Sequence, residues 1–185
     1  MEKDKNEREK VLTRILTKSP CSVVLPQDID TVGFTDSFIE AYEEPLRKDK
    51  ILPVRIKCGS FPDAISIWKE LSLRTKEAIS SVFDGDIITN RCFMAIEQVS
   101  TTDAIKSYLT RIFSRIDENS GWTILLVMED FENAIEKMEE YDIMKVRGIT
   151  TYAAIMSVTH TDLRKLCEDK YGHAYFCNQF VTFRF

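Results

Sequence analysis

Glycine and proline are scarce in this chain, six and five residues of 185. That is too few for a long flexible linker or a low-complexity tract, and no internal repeat is present. No apolar run approaches the ~20 residues of a membrane span. The first ten residues, MEKDKNEREK, are too charged for the apolar part of a secretory signal. Cations are outnumbered: 25 Lys and Arg against 30 Asp and Glu give a net charge of −5. A nucleic-acid or anionic-membrane surface needs clustered Lys and Arg. The expected partners are therefore another protein or a second copy of the chain, with no nucleic acid and no membrane, and the expected location is the cytoplasm. The five cysteines are odd in number and form no C-x-x-C pair. Reduced, partly buried thiols are expected rather than a disulfide framework. Cys167, His173 and Cys177 are close in sequence, but they lack zinc-site spacing and a clear fourth ligand.

What is present suits one globular domain with a proper core. Residues 1–18 are expected to hold a charged N-terminal helix, with Val11, Leu12, Ile15 and Leu16 on one face, stopped by Ser19-Pro20. The domain proper is expected over 19–185. Cys21 to Leu25 reads as a short buried strand, followed by a polar loop over 26–32 and a helix from about Thr35 to Leu46. Ile51 to Cys58 reads as a second strand, and Pro53 within it suggests an edge position or a late start. Phe61 to Phe83 is helical in pattern, and Asp84-Gly85-Asp86 is a turn. Residues 87–99 give no clear reading. Ser100 to Ile116 has an N-terminal capping signature. Trp122 to Met128 (WTILLVM) is the most hydrophobic run and reads as a central strand. A helix over 131–140, a buried strand over 152–158, a helix over 161–170 and a last strand over 181–185 complete the chain.

Apolar strands alternating with helices imply a mostly parallel five-stranded sheet covered on both faces, a three-layer α/β/α arrangement. Ligands of such sheets sit beyond the carboxyl ends of the strands, which directs attention to loops 26–34, 58–62, 128–131 and 158–161.

Four landmarks carry a resemblance to a known family: SVVLPQDIDTVGFTDSF (22–38), LPVRIKCGSF (52–61), WTILLVMEDFENA (122–134) and YAAIMSVTHTDLRKL (152–166). In this order they resemble the phosphate-loop region, second strand, Walker B strand and sensor strand of P-loop ATPases of the AAA/STAND type. The resemblance covers about residues 19–185. It implies a P-loop NTPase-like fold in which the strands at 21–25 and 122–128 are neighbours and the strand at 152–158 lies on the other side of the first. A phosphate loop reads G-x-x-x-x-G-K-[ST]. Setting Gly33-Phe34-Thr35 against G-K-[ST] puts Asp28 at the first glycine and Phe34 at the lysine, and keeps the hydroxyl as Thr35. Asp30 adds a second carboxylate.

In the family the first acid after the Walker B strand holds magnesium and the second orients the attacking water. Here the pair is Glu129-Asp130, with the side-chain lengths exchanged; the same two acids could instead cap the following helix. Thr159 and His160 stand at the sensor position. The resemblance thus implies a vestigial nucleotide-binding set of Gly33, Thr35, Glu129, Asp130 and His160, with no catalytic or metal residues assigned. The expected function is a catalytically degenerate ATPase-like domain that acts as a protein-interaction or regulatory module without a cofactor. The alternative is a nucleotide-binding protein or ATPase that holds ATP and Mg at an atypical phosphate site. A separate lid domain, common in the family, is not expected here. Arg147 and Arg164 qualify as arginine fingers by position only. Asp84, Asp86, Glu129 and Asp130 could form a carboxylate metal site if gathered, although turn chemistry accounts for the first two. No G-x-S-x-G is present. The aromatic run HAYFCNQFVTFRF at the end reads as buried strand, or as an open edge that invites dimerisation.

Overall fold

A computed structural model describes residues 2–83 and 86–185, with backbone only for Glu2 and Lys3. Its elements in chain order are α1 (Glu2–Leu16), β1 (Cys21–Val24), α2 (Thr31–Ala41), α3 (Glu43–Lys48), β2 (Ile51–Lys57) and α4 (Ala64–Ile79). There follow α5 (Ile87–Gln98), α6 (Thr102–Ser120), β3 (Thr123–Glu129), α7 (Phe131–Lys137), α8 (Glu140–Ile149), β4 (Ala153–Thr159), α9 (Leu163–Tyr171) and β5 (Val181–Arg184). Short 3₁₀ turns cover Cys58–Ser60 and Tyr175–Gln179. The five strands form one sheet in the order β2-β3-β4-β1-β5, and every pair is parallel.

Side chains alternate across each strand, and the two faces carry separate cores. Ile124, Leu126 and Met128 of β3 pack with Val54 and Ile56 of β2 under α4 to α9, where Trp68, Phe113 and Phe131 are the largest buried side chains. Leu125 and Val127 point the other way, packing with Val23 of β1 and Met156 and Val158 of β4 under α1 to α3. Val11 and Ile15 bury α1 against this second core, with Leu12 and Leu16 beside them.

The α/β/α layering and the five parallel strands agree with the sequence. The expected neighbours do not: β4 lies between β1 and β3, so the strands at 21–24 and 123–129 are apart. Local pattern identifies a strand but carries no information about which strand pairs with it. Pro53 does stand on an edge strand, where the missing N–H costs no ladder bond. The C-terminal strand β5 is the opposite edge, paired only with β1, which corrects the buried reading; Phe183 alone of its side chains is buried.

Several boundaries also move. Helix α2 begins at Thr31, one turn before the expected Thr35, because Asp30 caps it: the carboxylate accepts from Gly33 N–H at 2.7 Å. The unread segment 87–99 is α5, capped by Asp86, whose carboxylate accepts from Thr89 N–H at 2.7 Å. Asp84 and Gly85 of the expected turn lie outside the described residues. Helix α8 was not legible in the sequence. No helix among the described residues is long and apolar enough to cross a membrane.

Candidate functional site

The carboxyl ends of β1 to β4 bring together the loop after β1, the Glu129-Asp130 pair and the Thr159-His160 pair. Loop Leu25–Asp30 leaves β1 and enters α2, and Asp28 and Asp30 are both exposed on it. The capping bond from Asp30 occupies one of the free N–H groups at the start of α2. Gly33 lies inside the first turn of the helix, not in the loop. Thr35 is buried a turn further on and donates its hydroxyl back to the Thr31 carbonyl at 2.9 Å. Phe34 anchors α2. Its ring is buried, 5.0 Å from the Phe185 ring, with the Arg8 guanidinium 4.7 Å above it.

Glu129 closes β3 and is 3% exposed. It shares a sheet face with Arg55 of β2, because Arg55 and Lys57 stand opposite Val127 and Glu129 in the register. Arg55 donates to one Glu129 oxygen from Nε at 2.9 Å and from Nη2 at 2.6 Å. Its Nη1 pairs with Asp36 of α2. Burial pushes the Glu129 carboxyl above its ordinary value, and the Arg55 hydrogen bonds only partly offset this. For Arg55 itself, burial opposes the charge, yet the bonds to Glu129 and Asp36 outweigh it and hold the guanidinium charged. Arg does not lose its proton in proteins, so the pair keeps a fixed positive charge against the buried carboxyl, with both donors converging on one oxygen.

Asp130 has left-handed backbone, φ 51° and ψ 43°, a conformation that few residues other than glycine adopt and that clusters at functional sites. It stands at the cap position of α7 but makes no side-chain cap bond. Its carboxylate instead accepts from the Thr31 hydroxyl at 2.6 Å and lies 3.7 Å from Lys57 Nζ. Gly59 approaches the same group closely: a Cβ there would meet Asn133 Nδ2 at 3.2 Å and Asp130 Oδ2 at 3.6 Å.

His160 joins two loops. Its backbone N–H donates to Glu132 at 3.0 Å, and its Nδ1 lies 3.0 Å from the Pro26 carbonyl. A carbonyl only accepts, so Nδ1 carries the proton in this contact. Thr159 is buried, and its hydroxyl donates to the Thr161 carbonyl at 2.8 Å.

The structure thus gathers Thr35, Glu129, Asp130 and His160 beyond the strand ends, with the Thr35 side chain close enough to Glu129 to favour its charged form, while Gly33 is exposed in the first turn of α2. Arg55, Lys57, Thr31 and Asp36, which sequence reasoning missed, complete the cluster. The sign that could have found two of them is the alternation of Arg55 and Lys57 along β2, which puts both cations on one face. Arg147 and Arg164 are exposed on α8 and α9. Among the described residues, no group of three or more His, Cys, Asp or Glu is arranged to hold a metal ion.

No protein-family model matches the sequence, and no curated protein matches it. Solved structures do. The chain is similar to the Aeropyrum pernix ORC2 protein in its ADPNP–ADP complexes (TM-score 0.66, 10% identity), covering 97% of this chain and 47% of that one. It is similar to a chain of Drosophila ORC bound to poly(dA/dT) DNA and Cdc6 (TM-score 0.60, 8% identity, 97% and 28%). It also matches a Walker-type ATPase of Pyrococcus abyssi (TM-score 0.55, 13% identity, 97% and 52%). The α/β fold is the P-loop NTPase-like fold of these structures. The chain spans about half or less of the length of the proteins it matches. Because the likeness runs through 97% of this chain, the strand interposed between β1 and β3 is compatible with that fold.

Proposed function

We propose that this domain is a degenerate P-loop ATPase-like module that acts through protein contacts, as an interaction or regulatory unit, and does not turn over nucleotide. The observation that carries the reading is the Asp30 carboxylate on Gly33 N–H at 2.7 Å. It puts a negative charge where the helix start of a phosphate loop offers its N–H groups to an anion.

The loop chemistry points the same way. Counting the motif onto the observed helix start puts the first glycine at Leu25, the second at Asp30, the lysine at Thr31 and the hydroxyl residue at Val32. The earlier register puts the lysine at Phe34. Neither register supplies a lysine, and the sequence has none between Lys18 and Lys48. Each carboxylate ~4 Å from a phosphate costs about 1–4 kcal/mol, whereas the helix terminus returns at most ~2 kcal/mol. The groove beside the loop, about 690 Å³, has Asp4, Glu7, Asp28 and Asp30 on its walls against Arg8 and Arg184. The acids that would hold magnesium are engaged as well: Glu129 by Arg55, and Asp130 by Thr31 and Lys57. These donors do not suit a magnesium ion without rearrangement.

Calorimetry with ATP and ADP, each with magnesium, tests the reading. No binding tighter than about 100 μM is expected, and a micromolar dissociation constant overturns it. The partner is another protein or a second copy of the chain. Nucleic acid is not expected, on the net charge of −5. Anisotropy with a labelled duplex at low salt checks this, because any phosphate-driven binding is strongest there.

A second reading, nucleotide binding at an atypical site with ATP and Mg, draws on two observations. Lys57 is half exposed beside Asp130 and could turn toward an anion, and His160 stands at the loop with its Nδ1 on Pro26. It predicts magnesium-dependent thermal stabilisation by a nucleotide, weakened in Glu129→Gln.

A further inference from the structure

The chain carries a second chemical feature, remote in sequence from the loop after β1. Cys167 stands in α9 and Cys177 in the 3₁₀ turn that follows it, and their sulfurs are 3.3 Å apart. Both thiols are buried and free, Cys167 at 0% and Cys177 at 5% exposure. A disulfide needs the sulfurs near 2.05 Å, so closure asks for a movement of just over an ångström, within reach of side-chain rotation and a small shift of the 3₁₀ turn. The other three cysteines are buried, and no sulfur contact joins any of them to a second cysteine. We propose that Cys167 and Cys177 form a reversible dithiol–disulfide site that takes hydroperoxide as its oxidant.

The pair is built asymmetrically. Cys177 donates its S–H to the Cys167 sulfur, and this bond holds the Cys167 thiol below its ordinary value despite burial. The same bond, with burial, pushes Cys177 up. The 3.3 Å contact lets either sulfur resolve an oxidised partner; in the proposed sequence Cys167, the acceptor of the S–H bond, is the nucleophile and Cys177 the resolving thiol. The Cys167 thiolate attacks one peroxide oxygen and the O–O bond breaks. Hydroxide leaves and takes up a proton to become water, giving a sulfenic acid. The Cys177 sulfur then displaces the hydroxyl from Cys167, releasing a second water as the S–S bond forms. In total, two thiols and one hydrogen peroxide give one disulfide and two waters; the sulfurs lose two electrons and the peroxide oxygens gain them.

Burial selects the oxidant. A water-sized peroxide would need only a small local opening of the 3₁₀ turn to meet sulfurs at this depth, whereas a glutathione-sized disulfide would need a large one. The bond would staple α9 to the segment that delivers the chain to β5. Arg184 of that strand already pairs with Asp162 at the start of α9, so oxidation would tighten a connection the fold makes by charge.

The test uses the full chain. Treated with one equivalent of hydrogen peroxide and then denatured, the protein should lose two of its five thiols. Unreduced peptide mapping should show a single cross-link between Cys167 and Cys177, and dithiothreitol should restore all the thiols. The oxidised protein should melt higher than the reduced one by about 5 °C, since the link constrains the unfolded chain. Cys177→Ser should abolish the cross-link and leave a trappable sulfenic acid at Cys167. An unchanged thiol count, links scattered among other cysteines or between chains, or no rise in melting temperature would overturn the proposal. The mapping and melting measurements need no variant, so they decide the matter even if Cys177→Ser fails to fold.

Discussion

Arg55 donates two hydrogen bonds to a single oxygen of Glu129, 74 residues away, and the carboxylate they reach is almost wholly buried. The pair comes from adjacent strands of one sheet face, and Asp36 of α2 completes it from above. A buried carboxylate that has lost its cation is costly. Arg55→Met should therefore destabilise the protein by about 3–5 kcal/mol in urea unfolding at neutral pH. Arg55→Met with Glu129→Gln should recover much of that loss, because no unpaired charge is then buried. Equal losses in the single and double variants would show that packing of the Arg55 stem, not the charge pair, is what matters.

The same pair has a pH signature. Burial raises the Glu129 carboxyl in the folded state, so the native protein binds its proton more readily than the unfolded chain does. That cost to stability is fully present above the folded pKa and is relieved as pH falls through it toward the unfolded value. In Arg55→Met the raise should be larger. The variant's deficit against wild type, measured by urea midpoints, should shrink from pH 8 to pH 5. A deficit that grows on acidification would reverse the assignment.

Asp86 behaves oppositely. Its hydrogen bond from Thr89 N–H, helped by Arg115, holds its carboxyl down to about 2. The stability it contributes is present above the ordinary value of 3.8 and is lost as pH falls from there through about 2. Asp86→Ala should cost about 1 kcal/mol at neutral pH through loss of the α5 cap. The gap between the two proteins should close in acid titrations of thermal unfolding below pH 4, and a gap that stays constant there would rule out the cap as its source.

Thr31→Val tests the contact that ties α2 to Asp130. Removing the hydroxyl leaves a part-buried carboxylate short of one partner and should cost about 1–3 kcal/mol. Lys57→Met should cost less, because Lys57 is half exposed and 3.7 Å away. A larger loss for Lys57→Met would make the lysine, not the hydroxyl, the main support of Asp130.

Gly121 ends α6 with left-handed backbone at φ 71°, the place where glycine avoids a Cβ penalty. Gly121→Ala should destabilise the domain by about 1 kcal/mol, read as a lower thermal midpoint with an unchanged circular dichroism spectrum at 25 °C. A neutral substitution would mean that the helix end relaxes without cost.

The alternation of apolar strands with helices was legible because it is local. WTILLVM reads as a buried strand from its length, its Gly121 boundary and its place between helices, and a parallel sheet covered on both faces follows from repeating that unit. The absence of lysine between Lys18 and Lys48 was legible for the same reason, and it holds in any register. The start of α2 was not. Its pattern from Thr35 onward was visible, but the extra turn depends on whether Asp30 caps the helix or stays in the loop, and both choices suit the same residues. Helix α5 was unreadable because Ile87 and Met94 are exposed, which blurs its apolar face.

The sequence alone thus determined the order of elements, the α/β/α class and the chemistry missing from the loop after β1, since composition and periodicity act over a few residues. Tertiary structure decided what those residues meet: that β4 separates β1 from β3, that Arg55 rather than solvent faces Glu129, that Thr31 faces Asp130, and that Cys167 lies against Cys177. Those pairings depend on which strands and turns the whole chain brings side by side, and each is settled by burying both sheet faces at once.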